Sequence, residues 1–323
     1  MPVYAVIFPG QGSQSVGMGR DLAAAFPAAR EVFEEVDEAL KQKLSKIIWD
    51  GPAETLTLTE NAQPALMAVS LAALRALERE GAFSLASRAA ILAGHSLGEY
   101  TALAAAGAIS LADTARLLRR RGQAMQNAVP EGQGAMAALL GIELHAAAAL
   151  CREAAVLKRD GEPDLVQVVE PANDNGGGQV VISGHAEAVD RAVALAKQSG
   201  VKRAMRLPVS APFHCALMRP AAEVMRGVLA ETPIAAPYPP IVANVTASKE
   251  SEPDTIRDLL VAQVTATVRW RESVLACNGM GIDHFVEIGA GKVLSGLNKR
   301  IVPDSETHSV GTPSDLESFL KAL

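Results

Sequence analysis

The sequence predicts an α/β fold in which a large domain carries a small inserted one. Three observations lead there. Short apolar runs at 2–8, 89–93, 239–243 and 284–288 read as buried strands, each followed by helical periodicity. Gly94-His95-Ser96-Leu97-Gly98 lies where one of those strands turns into an alanine-rich helix. Between 134 and 207 the pattern reads β-α-β-β-α-β, the order of a ferredoxin-like unit.

Taken in order, 2–8 opens the fold as a strand. Pro9-Gly10-Gln11-Gly12-Ser13-Gln14 follows as a tight loop. The glycines on either side of Gln11 allow close approach of backbone to a ligand, or simply a strand-to-helix connection. Residues 28–44 carry helical periodicity with many acids and read as a solvated surface helix. A further helix starts at Asn61-Ala62-Gln63-Pro64, with the proline in its first turn; it is apolar on nearly all faces through Leu74 and so is deeply packed. Ser110 reads as an N-cap with Asp113 three residues on, starting a helix that ends near Asn127.

In the insertion, 135–140, 165–169, 179–183 and 203–207 read as strands, and 145–157 and 186–199 as helices. Residues 173–178 form a turn-rich loop. These limits give a large domain at 1–133 and 208–323 and a small one at 134–207. The large domain resumes with Pro208-Val209-Ser210-Ala211-Pro212-Phe213-His214-Cys215, where two prolines fix an extended loop. A helix at 256–263, a strand at 284–288 and a final helix carrying Lys299 and Arg300 complete it.

The bulk numbers bound the function. The chain has 323 residues, 49% hydrophobic and 20% charged, an ordinary globular composition. A net charge of −6 argues against broad nucleic-acid binding. The charge-free run at 100–112 is too short to span a bilayer, and no charged signal segment precedes Arg20. Cys151, Cys215 and Cys277 have no metal spacing and form no even disulfide framework, so a reducing cytoplasm is the simplest setting.

The chemistry gathers at Ser96. A strand-to-helix turn that sharp needs small residues on both sides of the serine, and G-x-S-x-G supplies them. The helix N-terminus then aims N–H groups and a partial positive charge at the same spot. Ser96 is placed to attack a carbonyl, with Leu97 N–H stabilising the oxyanion. The serine needs a general base. His95 is its neighbour and points elsewhere. His145 and His185 begin helices of the insertion and read as surface residues, His284 opens a strand, and His308 lies in a polar tail. His214, on its proline-bounded loop where the two domains meet, is the favoured base. A second signal is Arg121, which falls on the apolar stripe of Leu111, Ala115, Leu118 and Met125. A guanidinium there must snorkel to water or meet an anion. Arg119 and Arg120 point elsewhere as surface charges.

Taken together, Phe8 through Gln14, Val16-Gly17-Met18-Gly19, Gly94 through Tyr100, Arg121-Gly122, Pro208 through Met218 and Glu287 through Val293 resemble, in order, the malonyl-CoA:acyl carrier protein transacylases of type II fatty acid synthesis. The resemblance runs almost end to end. It implies an α/β-hydrolase-like large domain with a ferredoxin-like insertion. It implies Ser96 as nucleophile, His214 as base, Gln11 and Leu97 as backbone oxyanion donors, and Arg121 as the grip on the malonyl carboxylate. Gln263 falls where the family places a main-chain carbonyl that orients the histidine. Phe213 matches a position where phenylalanine, in related polyketide acyltransferases, goes with malonyl over methylmalonyl. The implied partners are malonyl-CoA and an acyl carrier protein, both substrates, with no resident cofactor and no metal. An acidic carrier needs a local basic patch, for which Lys202, Arg203, Arg206, Lys299 and Arg300 are candidates. No coiled coil or exposed apolar helix calls for a dimer, so a monomer is expected.

Three rivals remain. A serine esterase would share the elbow but give Arg121 no partner. A carrier-binding module without catalysis would not need Ser96 and His214. A polyketide-pathway acyltransferase would differ only in its carrier.

Overall fold

The computed structural model describes residues 3–81, 83–159, 162–209 and 211–323; Pro2 and Ser210, named above, lie outside them. The strands are β1 (Tyr4–Phe8), β2 (Ala89–Gly94), β3 (Gly134–Leu140), β4 (Val156–Arg159), β5 (Glu162–Val166), β6 (Val169–Asp174), β7 (Gln179–His185), β8 (Arg203–Arg206), β9 (Ile241–Ala243), β10 (Ser248–Glu250), β11 (His284–Ile288) and β12 (Glu306–Val310).

Six of these form the large sheet, in the order β10-β9-β2-β1-β11-β12. Every pair is parallel except β9 with β10. A parallel sheet is covered on both faces, and its strands alternate between two cores. Along β1, Tyr4, Val6 and Phe8 enter the main core, while Ala5 and Ile7 enter another that holds Trp270 and Phe285. The main core is dominated by the helix Thr59–Glu80, buried almost throughout from Ala62 to Leu77. The loops leaving the carboxyl ends of β1, β2 and β9 carry Gln11, Ser96 and Asn244. A parallel sheet presents its ligand crevice at this edge.

The second sheet, β6-β7-β3-β8, is antiparallel at every pairing. Ala135, Ala137 and Leu139 pack with the helices Leu144–Ala155 and Ala186–Gln198 into a separate apolar core. Their neighbours Met136 and Ala138 face the other way and border the main cavity, as a period of two requires. Backbone bonds tie this sheet to the segment before the helix Trp270–Gly279: Val268 N–H donates to Ala172 O at 2.8 Å and Asp174 N–H to Val268 O at 2.9 Å. Arg271 Nε adds a bond to Asp174 at 2.9 Å.

Several sequence expectations need correction. The strand expected at 165–169 is divided. An antiparallel pair, β4 and β5, takes 156–159 and 162–166, and the sheet strand begins at Val169. Asn173 and Asp174, expected in a loop, pair with Val181 and Val180 in β7. The helix expected at 28–44 is two, Pro27–Leu40 and Leu44–Asp50; the first lays Val32, Phe33 and Val36 against the core and leaves Glu31, Glu34 and Glu38 exposed. The helix expected from Asn61 starts at Thr59, which puts Pro64 in its second turn. The helix Val293–Ile301 is not the last, since β12 and the helix Pro313–Ala322 follow. His308 therefore lies in a strand, its ring 5.3 Å from that of Phe319, and not in a polar tail. Among the described residues, no helix is long and apolar enough to cross a membrane.

Candidate active site

The turn after β2 is as tight as its glycines suggest. A Cβ on Gly94 would stand 1.9 Å from the Gly98 carbonyl, and one on Gly98 would stand 2.4 Å from Phe8 O. Only hydrogen fits at either position. Between them Ser96 takes φ 55° and ψ −108° as the N-cap of the helix Leu97–Ala105, a conformation L-residues avoid. Asn244 holds the strained peptide. It accepts from Ser96 N–H at 2.8 Å and donates to Gly94 O at 2.7 Å.

His214 sits on the far side of the cleft, also at positive φ (58°) and 4% exposed. Its Nε2 lies 2.8 Å from Ser96 Oγ and its Nδ1 lies 2.9 Å from Gln263 O. A carbonyl oxygen only accepts, so Nδ1 carries the proton and Nε2 presents its lone pair to the hydroxyl. Burial first, then the nearby Arg121 charge, push the imidazole down to about 3. The ring is neutral at physiological pH, as a proton acceptor must be.

Arg121 comes from the helix Leu111–Asn127, whose N-cap is Ser110 accepting from Asp113 N–H at 3.0 Å. Its side chain does not snorkel; the residue is 1% exposed. Nη1 donates to Gln63 Oε1 at 2.8 Å, and Nη2 donates to Gln263 Oε1 at 2.9 Å and Ser96 Oγ at 3.1 Å. The guanidinium carbon lies 5.4 Å from the centre of the Tyr100 ring. Nε finds no acceptor among the described residues. The cation thus rests on neutral amides, a hydroxyl and a ring, with no carboxylate among the described residues in direct contact, which leaves it ready for an anion.

A cavity of about 510 Å³ opens over these groups, bordered by Gln11, Ser96, Leu97, Arg121, Phe213 and His214. Gln263 stands behind it, at the C-terminus of the helix Pro253–Gln263. Ser96, His214, Arg121, Gln11, Leu97 and Phe213 are therefore at this cavity, and Gln263 is bonded to three of them. Chemically, the arrangement offers a hydroxyl with a base, N–H groups at a helix start, and a buried cation within bonding distance of that hydroxyl.

The chain matches the acyl transferase domain family over residues 5–310. It belongs to the acyl transferase family. It is 46% identical over 321 residues to the malonyl CoA-acyl carrier protein transacylase of Escherichia coli, covering 99% of this chain and 100% of that one. To the protein of that name in Bacillus subtilis it is 45% identical over 323 residues, covering 100% and 98%. The solved acyl-carrier-protein-S-malonyltransferase of Bartonella henselae superposes with a TM-score of 0.93 at 52% identity, covering 99% of each chain. A malonyl-transacylase solved in complex with its type II polyketide acyl carrier protein gives 0.93 at 41%, covering 99% and 100%.

Several groups in this acyl transferase site escaped the sequence reading. Gln63 and Asn244 hold Arg121 and Ser96 respectively. The available signal for Gln63 was an amide on an otherwise apolar helix; Asn244 had only its place at the end of a short strand. His95 does turn away from Ser96, as expected: its Nε2 meets Asn175 Oδ1 at 2.9 Å, and burial lowers its pKa. His185 is half-buried, and its Nδ1 accepts from Val168 N–H at 2.9 Å. Arg119 is half-buried rather than a plain surface charge, and burial pulls its pKa down.

Proposed function

We propose that this acyl transferase moves a malonyl group from malonyl-CoA to the phosphopantetheine thiol of an acyl carrier protein, through an ester on Ser96. One observation carries the reading: Arg121 Nη2 lies 3.1 Å from Ser96 Oγ, so the acyl group best suited to the site ends in its own carboxylate. The names of the relatives support the same substrates.

In this reading the malonyl carboxylate replaces the amide acceptors on the Arg121 guanidinium. Ser96 Oγ bonds to the thioester carbon while its proton passes to His214 Nε2. The oxyanion rests on the N–H groups of Gln11 and Leu97; losing one such donor costs about 3–4 kcal/mol in comparable sites. The C–S bond breaks, and His214 returns the proton to the CoA sulfur. The carrier thiol then reverses the steps, giving ping-pong kinetics. Pairing Arg121 with the substrate also removes one of the influences that hold His214 down, so the bound diacid strengthens its own base. Gln263 O fixes the histidine tautomer, and Phe213 closes the acyl pocket against larger groups. The steps need no resident cofactor or metal.

The antiparallel sheet with two helices and its separate core supports a ferredoxin-like insertion at 134–207. The remaining 1–133 and 208–323 then form an α/β-hydrolase-like domain. All groups used come from one chain, in keeping with a monomer. Three buried free cysteines fit a reducing cytoplasm. For carrier docking, Arg206 is already committed to both Asp190 oxygens at 2.7 Å. Lys202, Arg203, Lys299 and Arg300 are exposed and form the better patch.

Intact-mass measurement after incubation with malonyl-, methylmalonyl- and acetyl-CoA tests the reading. A malonyl adduct that passes to carrier protein is expected. Hydrolysis without transfer would favour an esterase, and no adduct would overturn the reading.

A further inference from the structure

Glu99 lies three residues after Ser96, in the first turn of the helix Leu97–Ala105, and is 1% exposed. No cation among the described residues lies within ion-pair distance of its carboxylate. A buried carboxylate without a salt bridge is an expensive way to fill space, and an apolar residue of similar volume would pack there without that cost. Its bonds show what it holds. Oε2 accepts from Gln263 Nε2 at 2.8 Å and from Asn244 N–H at 3.0 Å.

Those two amide residues hold the site. The Asn244 side chain fixes Ser96 N–H and Gly94 O, on both sides of the strained peptide. The Gln263 side chain donates to Ser96 O at 3.0 Å and accepts from Arg121 Nη2. Its main-chain oxygen fixes His214. Serine, histidine and arginine thus each rest on Asn244 or Gln263, and both of those rest on Glu99. Oε2 accepts in both bonds, which turns the Gln263 NH2 inward and its amide oxygen toward Arg121. The Glu99 carboxyl group and the Arg121 guanidinium are thus joined through one primary amide.

We propose that Glu99 is the positioning residue of this site: through Asn244 and Gln263 it sets the mutual geometry of Ser96, His214 and Arg121. The proposal rests on the malonyl-transfer reading above. A residue acting this way touches no reacting atom, yet it governs rate and acyl choice together, because small displacements of reacting groups are expensive.

The test uses the intact chain with Glu99→Gln and Glu99→Ala. Rates are counted per site titrated by the malonyl burst, so that a reduced folded fraction does not register as a slower enzyme. Glu99→Ala is expected to lower the per-site transfer rate about 10- to 100-fold and to narrow the preference for malonyl- over acetyl-CoA. Glu99→Gln keeps an acceptor but loses the charge, and should fall between wild type and alanine in both readouts. Lowered melting temperatures with wild-type per-site rate and preference would overturn the proposal and leave Glu99 a folding residue. If the alanine variant does not fold, Glu99→Gln decides alone: wild-type values in both readouts overturn the proposal. The wild-type control separates the two readings, because an absent malonyl adduct on Ser96 sinks the transfer reading itself.

Discussion

Ser96 Oγ and His214 Nε2 stand 2.8 Å apart although 118 positions separate them in the chain. The chain spans that separation by running through the whole second sheet before returning to the large one. If this pair makes the ester, Ser96→Ala gains no mass on incubation with malonyl-CoA, while the wild-type chain gains one malonyl group. A labelled adduct on the alanine variant would refute the assignment.

Arg121→Ala should raise the KM for malonyl-CoA and bring acetyl-CoA closer to parity. Charge-assisted hydrogen bonds are worth about 1.5–3 kcal/mol, which corresponds to roughly 10- to 100-fold in discrimination. Arg121→Lys should recover little, because one ammonium cannot reproduce the planar fork. Competition kinetics with the two thioesters reads both, and unchanged discrimination would remove Arg121 from the binding role.

The pH profile follows from His214. Its pKa lies near 3 in the fold, depressed by burial and then by Arg121, against an ordinary value of 6.5. The free enzyme should therefore show no acid limb in kcat/KM near 6.5. Stability behaves correspondingly. Between about 3 and 6.5 the unfolded histidine binds the proton that the folded one refuses, so this contribution is complete above 6.5 and declines as pH falls toward 3. Glu99, raised to about 7 by burial, acts in the opposite sense between 4.5 and 7: the folded carboxyl holds its proton more tightly, so its contribution declines as pH rises. Urea titrations of wild type and Glu99→Gln across this range separate the two.

Asn244→Ala would strip partners from Ser96 N–H and Gly94 O in one step. Unpaired buried groups cost about 1–3 kcal/mol each. A fall in the urea midpoint of that order is expected, with activity lost as the elbow relaxes.

Gly94→Ala is the severest change at the elbow. Its new methyl would meet the Gly98 carbonyl at 1.9 Å, and backbone rather than a flexible side-chain tip must move. Loss of malonyl loading is expected even in the folded fraction, as measured by burst amplitude against circular dichroism.

The legible parts of this site are those where one residue breaks a local rule. Glycines on both sides of Ser96 announce a turn too sharp for side chains. Arg121 interrupts an apolar stripe, and His214 sits between prolines. The supporting amides break no rule: Gln63 and Asn244 become telling only when the fold sets them beside a guanidinium and a strained peptide. The fold shows the same division. β1 and β11 are apolar and were readable. β12, Glu306-Thr307-His308-Ser309-Val310, lies at the sheet edge with mostly half-buried side chains, so its composition carries little strand signal. β4 and β5 are mostly exposed and carry Lys158, Arg159, Glu162 and Asp164, so their composition also carries little strand signal.

The rungs from Ala172 and Asp174 to Val268 tie the small sheet to the segment that leads into the helix Trp270–Gly279. Parting the small sheet from that segment would break main-chain hydrogen bonds and the Arg271–Asp174 pair together. On the malonyl-transfer reading, the thiol arm of a carrier would have to reach Ser96 through the mouth of this cavity.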